Sequence, residues 1–224
     1  MADPRPGFVY LHGFASGPSS AKAAFYRDEL ARRGISVITP DLNEGPGGFH
    51  GMTLSRCVDA TRAALEEAGA SERGAVLIGS SMGGLVAALV ASRDPRVRAA
   101  VLLAPAFDLP ARWNAWIGEE GVGEWRRTRE LEVDHHAWGR KEKLGFAFYL
   151  DSMGLPPYPR PACPTLILHG VRDAEVGIGT SVKLADGAPN VRLVALESDH
   201  GMLDVLPRLW SETEEFLGPL VRGD

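Results

Sequence analysis

The stretch Ala75-Val76-Leu77-Ile78-Gly79-Ser80-Ser81-Met82-Gly83 decides the fold. Its first four residues are apolar without alternation, which predicts a strand buried on both faces. The alanine- and leucine-rich run from Leu85 to Ala91 predicts a helix. Between them stands a serine with a glycine two positions away on either side. A strand that turns directly into a helix leaves no room for side chains at those flanking positions, and the turn lifts the central hydroxyl above the sheet edge. The bare spacing arises by chance in roughly one chain in ten, so its place between strand and helix carries the argument. Ser81 is the candidate nucleophile.

Working outward, short apolar runs alternate with helical segments. Strands are predicted at Phe8 to Leu11, Ile35 to Thr39, Ala75 to Ile78, Ala99 to Leu103, Thr165 to Leu168 and Val191 to Leu196. Helices are predicted near Ala21 to Arg33, Leu54 to Gly69, Met82 to Ser92, Gly179 to Ala185 and Leu203 to Leu217. Ser19 or Ser20 is placed to cap the first helix, and Gly34 stands where a helix end wants a left-handed residue. The alternation predicts an α/β fold: one doubly wound, mostly parallel sheet of six strands in a single domain over residues 1–224. The segment from about 105 to 161 interrupts the pattern. It holds four of the five tryptophans, Trp113, Trp116, Trp125 and Trp138, together with Phe146, Phe148 and Tyr149. An insertion this long is functional or a small subdomain, and its aromatic content predicts a helical cap packed on the sheet edge.

Composition narrows the function classes. A net charge of -5 and the lack of a basic stripe argue against nucleic acid or an anionic membrane as partner. Arg126, Arg127 and Arg129 cluster, but Glu124, Glu130 and Glu132 interleave with them, which predicts a solvated helix face. Cys57 and Cys163 are too few for a disulfide framework and are expected to be buried thiols. The apolar run at Phe8 is too short for a signal peptide, and no stretch has the length of a membrane span. The expectation is a cytoplasmic protein.

A serine hydroxyl attacks only when a base removes its proton, and the base needs an acid to orient it. Behind a turn of this kind the order along the chain is Ser, then Asp or Glu, then His. Of the six histidines, His50 lies upstream, and His12 and His169 precede glycines at strand ends, where they are expected to shape turns through backbone hydrogen bonds. His135 and His136 follow Asp134 in the insertion; adjacent side chains do not readily face one ion, so no metal is expected there. His200, in Glu197-Ser198-Asp199-His200-Gly201 after the last strand, is the candidate base. For the acid, Asp173 follows the fifth strand in His169-Gly170-Val171-Arg172-Asp173. Its rivals are Asp199, next to the base in sequence, and Glu175. Developing negative charge on a substrate oxygen would need two backbone donors. Met82 N–H is one; Phe14 N–H is the first candidate for the other, with Ala15 next. Gly13 is expected to let the chain pass close to the reacting carbonyl.

Tyr10-Leu11-His12-Gly13-Phe14, Gly79-Ser80-Ser81-Met82-Gly83-Gly84, His169-Gly170 with Asp173, and Asp199-His200 together resemble the α/β-hydrolase superfamily. Within it, His12 to Phe14 followed by Ser16-Gly17-Pro18-Ser19-Ser20-Ala21-Lys22 resembles the small bacterial esterases of the YqiA type. The doubled serine and glycine of the turn also resemble the mitochondrial acyl-glucuronide esterase and depalmitoylase group. The resemblance implies a serine hydrolase, needing no cofactor, that cleaves a small acyl ester or thioester through an acyl-enzyme. Ser81 would attack, His200 carry the proton and Asp173 orient it, with Phe14 and Met82 N–H groups on the oxyanion. A peptidase or amidase, or a catalytically silent ligand-binding relative, is the alternative. Trp113 and Trp116, three apart and so on one face of a helix, are the candidate substrate-binding residues for short to medium acyl groups. Two departures stand out: Gly177 occurs where the family often has proline soon after the acid, and the antiparallel strands that often open the fold are absent.

Overall fold

The computed structural model describes residues 5–222. In chain order the elements are β1 (Gly7–Leu11), α1 (Ala21–Ala31), β2 (Val37–Ile38), α2 (Leu54–Glu67), α3 (Ala70–Arg73), β3 (Ala75–Ser80), α4 (Met82–Ala91), β4 (Val97–Leu103), α5 (Leu109–Thr128), β5 (Glu130–His135), β6 (Arg140–Gly145), α6 (Ala147–Met153), β7 (Thr165–Gly170), α7 (Gly179–Ala185), β8 (Val191–Leu196), α8 (Leu206–Leu217) and α9 (Pro219–Arg222). Six strands form one sheet in the order β2-β1-β3-β4-β7-β8, and every pairing in it is parallel. The six predicted strands are these six. Among the described residues β1 is the first strand, and it leads directly into the loop that faces the site.

The inner strands β1, β3 and β7 are buried along their whole length, covered on both faces by helices as mostly unalternating apolar runs require. Phe8 and Tyr10 of β1 pack with Tyr26, Leu30, Leu209 and Trp210 of α1 and α8. Val9 and Leu11 pack with Leu54, Leu65 and Leu85 of α2 and α4 on the opposite face. Strand order reverses between β1 and β3, and in such sheets the crevice at the carboxyl ends of the strands at that reversal is the usual ligand site. Leu11 of β1 is paired with Gly79 of β3, which brings the loops after these strands together.

The insertion between β4 and β7 contains, besides its helices, an antiparallel hairpin of β5 and β6. The charged run around Arg126 is therefore not one helix face. The helix ends at Arg129, which takes a left-handed conformation, and Glu130 and Glu132 belong to β5. Within α5, Gly118 has φ 71° and ψ 172°, breaking the helix into two pieces. Trp125 is buried and donates from its indole to the Leu144 carbonyl at 3.0 Å; Trp113, Phe146 and Tyr149 surround it with ring centres 5.0 to 5.9 Å away. Asp151 of α6 accepts from the Ser55 amide at 2.8 Å and its hydroxyl at 2.6 Å, tying the insertion to the start of α2. The hairpin tip lies on the loop after β1, where Ala137 N–H donates to the Ala15 carbonyl at 3.2 Å.

Candidate active site

The turn at Ser81 is fixed by backbone against backbone. A side chain at Gly79 would run into the Gly83 carbonyl, and one at Gly83 into the carbonyls of Leu11 and His12. Ser81 itself is held at φ 54° and ψ -118°, a conformation costing about 1–3 kcal/mol that persists only where its surroundings enforce it. They do: Ser81 N–H donates to Leu103 O at 2.8 Å, and its carbonyl accepts from Gly84, Leu85 and Ala106. Three more non-glycine residues with positive φ, Ala15, Ala104 and Met202, sit in loops at the same end of the sheet.

Three side chains from separate loops meet above this turn. Ser81 Oγ is 3.1 Å from His200 Nε2, and His200 Nδ1 is 2.7 Å from Asp173 Oδ2. The Asp173 carboxylate is wholly buried. Burial pushes its pKa up, but hydrogen bonds from His169, His200 and the Val176 amide outweigh that and hold it well below the usual carboxylate range. An ionised carboxylate only accepts, so His200 Nδ1 carries the hydrogen and Nε2 is left to accept from the serine. The rivals for the acid position lie elsewhere. Asp199 Oδ1 accepts from the Met202 amide within its own turn. The Glu175 side chain is exposed and stands 3.9 Å from Nε2, on the wrong side of the ring. The turn after Asp173 is closed by the amides of Glu175 and Val176 donating to Oδ1 at 2.9 and 2.7 Å. A proline at Val176 would remove one of them.

The loop after β1 passes directly over the turn: a Cβ on Gly13 would stand 3.4 Å from Ser81 Cβ. That is ordinary van der Waals contact, so the closeness expected of Gly13 is present without a collision that demands glycine. Met82 opens α4, where amides have no acceptor within the helix. The Phe14 ring packs among Phe49, Trp113 and Phe148, with centres 5.5, 5.7 and 5.9 Å away. Trp113 is buried in this cluster, and Trp116, its ring 5.0 Å from that of Trp113, is 66% exposed.

His12 and His169 do bind backbone, as expected of them. His12 Nε2 accepts from the Leu42 amide at 2.9 Å while Nδ1–H donates to Gly13 O at 2.9 Å. Asn43 donates to Ser16 O at 2.6 Å and fastens the same loop. Cys57 and Cys163 are buried free thiols. His135 is buried against Phe49 and stacked on Trp138 at 3.8 Å.

Two cations beside the site have no sequence signal for a role. Lys22, at the start of α1, reaches the His200 carbonyl with Nζ at 3.4 Å. Burial pulls its pKa down to about 8, against the opposing pull of Asp173, Asp199 and Glu175. Arg112 of α5 donates to the Glu175 carbonyl, and burial pulls its pKa down as well. Only the fold brings them near residues 178 and 63 positions away.

A parallel doubly wound sheet with this turn and loop order is the α/β-hydrolase fold, and solved structures agree. Mouse alpha/beta hydrolase domain-containing protein 10 superposes with a TM-score of 0.76 at 20% identity, over 98% of this chain and 92% of that one. Est1E from Butyrivibrio proteoclasticus gives 0.74 at 22% identity, over 98% and 90%. An esterase of Pyrococcus furiosus gives 0.67 at 20% identity, over 96% and 83%. By sequence the chain belongs to the uncharacterised protein family UPF0227, matched over residues 7–216, the YqiA-type group that its motifs resemble. No curated protein matches it by sequence. Among the described residues no helix is long and apolar enough to cross a membrane.

Proposed function

We propose that this protein is a serine hydrolase that cleaves small carboxylic esters or thioesters through an acyl-enzyme. The observation that carries the reading is the unbroken hydrogen-bond chain from Ser81 Oγ through His200 to Asp173, at 3.1 and 2.7 Å. His200 Nε2 takes the hydroxyl proton as Ser81 Oγ attacks the acyl carbon. Asp173 holds the ring in the tautomer that can accept it and stabilises the imidazolium formed. The Met82 and Phe14 amides donate to the oxyanion, where donors fixed in advance are worth more than in water. His200 then gives its proton to the leaving alkoxide or thiolate, and water repeats the sequence to release the acid. The insertion acts as a cap, with Trp113 and Trp116 lining the acyl side next to Phe14. Est1E, a neighbour in fold, has been solved with ferulic acid bound, which supports a small carboxylic acid as one product here.

A panel of esters, thioesters, lactones and amides tests this, assayed with the parent chain and with Ser81→Ala. Turnover of esters or thioesters that disappears in the variant is expected. Turnover confined to amides, or surviving in Ser81→Ala, overturns the assignment.

A further inference from the structure

We propose that His169 is a positioning residue for this chemistry, fixing the Asp173 carboxylate to the frame of the sheet. The inference rests on the reading of Ser81, His200 and Asp173 given above. Four N–H groups lie within 3.2 Å of the Asp173 carboxylate. Two, the amides of Glu175 and Val176 on Oδ1, belong to its own turn and move with it. The third, His200 Nδ1–H on Oδ2, is the group that Asp173 has to orient. The fourth is His169 Nε2, 3.2 Å from Oδ2. His169 lies within β7, is wholly buried and is paired with Ala195 of β8, so it alone among the described donors belongs to the sheet.

The imidazole can hold only one tautomer here. Nε2 lies 2.6 Å from the Val176 carbonyl, which can only accept, so Nε2 carries the hydrogen. That N–H donates to Val176 O and stands 3.2 Å from Asp173 Oδ2. Nδ1 then accepts from the Ser181 hydroxyl of α7 at 2.7 Å. Ser181 is itself buried. The ring is thus pinned from α7 and presents one donor to both ends of the turn that carries Asp173. Without it, the carboxylate would lose its tie to β7 and turn with residues 171–178. Oδ2 would also concentrate its charge on His200 and hold the imidazole proton more firmly. The other charged or titrating groups around this pair are the Glu175 carboxylate beside His200 Nε2 and Lys22 on the His200 carbonyl, with Arg112 on the Glu175 carbonyl. None of them touches His169.

The test is the pH dependence of ester hydrolysis by the full chain carrying His169→Leu, His169→Gln or Ser181→Ala. With His169→Leu, kcat is expected to fall by about ten- to a hundredfold, the scale of a misplaced catalytic group, with KM within about twofold. The acid limb of kcat/KM should move to higher pH by about half a unit or more, because a donor to the charged carboxylate is gone. His169→Gln, whose amide can replace the Nε2 donor, should recover most of both. Ser181→Ala, which unties the ring without removing it, should move the limb the same way by less. Nitrogen-15 spectra of the unaltered chain at pH 8 should show His169 as the Nε2–H tautomer. An Nδ1–H tautomer overturns the proposal, as does an acid limb that stays in place in whichever of His169→Leu and Ser181→Ala folds. Should the parent show no turnover dependent on Ser81, it is the hydrolase reading that fails, and the tautomer still decides the placement of His169.

Discussion

At Ser81 the chain is held by contacts of backbone with backbone: glycines at 79 and 83 that cannot bear a Cβ, and carbonyls and amides that leave one conformation open. The insertion between β4 and β7, from Ala104 to Pro164, is held differently. There aromatic rings pack tilted or edge-on around Trp125, a glycine at 118 divides the helix, and a hairpin rests its tip on the loop after β1. The first region tolerates almost no change in covalent geometry. The second needs only that apolar volume be conserved. The proposed site would draw on both, with reacting groups on the rigid turn and the loops beside it, and an apolar wall from the ring cluster. Chemistry and selectivity should therefore fail separately.

The largest expected effect lies on the rigid side. Asp173→Asn should leave thermal unfolding near that of the parent but lower kcat by about three to four orders of magnitude, since the amide favours the wrong His200 tautomer. Glu175→Gln and Asp199→Asn should stay within about tenfold of the parent. Collapse in either, with Asp173→Asn active, would move the acid elsewhere.

Glycines compare the two regions directly. Gly83→Ala drives a methyl into two carbonyls and should cost at least about 4 kcal/mol in denaturant unfolding, among the exceptional single-residue values. Gly118→Ala has open space around it and a strained backbone only, so about 1–3 kcal/mol is expected. Equal costs would erase the distinction.

Selectivity should respond on the other side. Across a chromogenic ester series, each added methylene buried by the ring cluster should raise kcat/KM about fourfold, corresponding to about 0.8 kcal/mol, until the space is filled. Trp113→Ala or Trp116→Ala should shift the preferred acyl length while labelling of Ser81 persists. A maximum that neither substitution moves would make the insertion a cover and nothing more.

The smallest effect concerns Lys22. Its folded pKa of about 8 lies below the ordinary lysine value, so between about 8 and that value the unfolded chain binds more protons, and stability rises with pH across this window. Lys22→Met removes the cost of burying the charge. Its melting temperature should exceed that of the parent at pH 7, and the gap should narrow above pH 8. A constant gap would mean that Lys22 carries no such cost.

Much of the frame was legible because it depends on local rules. An unbroken apolar run means a strand covered on both faces, two glycines around a serine mean a tight turn, and loop order along the chain singles out His200 and favours Asp173. The hairpin at Glu130–Gly145 was not legible. Its strands are rich in charge, joined by pairs such as Lys141 with Glu132 and Lys143 with Glu130, so they lack the apolar run that marks a strand. Lys22, Arg112 and the contact of His169 with Asp173 were invisible for another reason. Each acquires its role from a neighbour that only the closed sheet supplies, and no spacing along the chain encodes it.

The central claim is that Ser81 is a nucleophile activated by His200, and covalent labelling tests it without a substrate in hand. After treatment with a fluorophosphonate, intact-mass spectrometry should show one adduct on the parent chain, and peptide mapping should place it on Ser81. The adduct should be absent in Ser81→Ala, retained in Ser80→Ala and formed far more slowly in His200→Ala. A folded parent chain that stays unlabelled, or an adduct on Ser80 that persists in Ser81→Ala, would contradict the account.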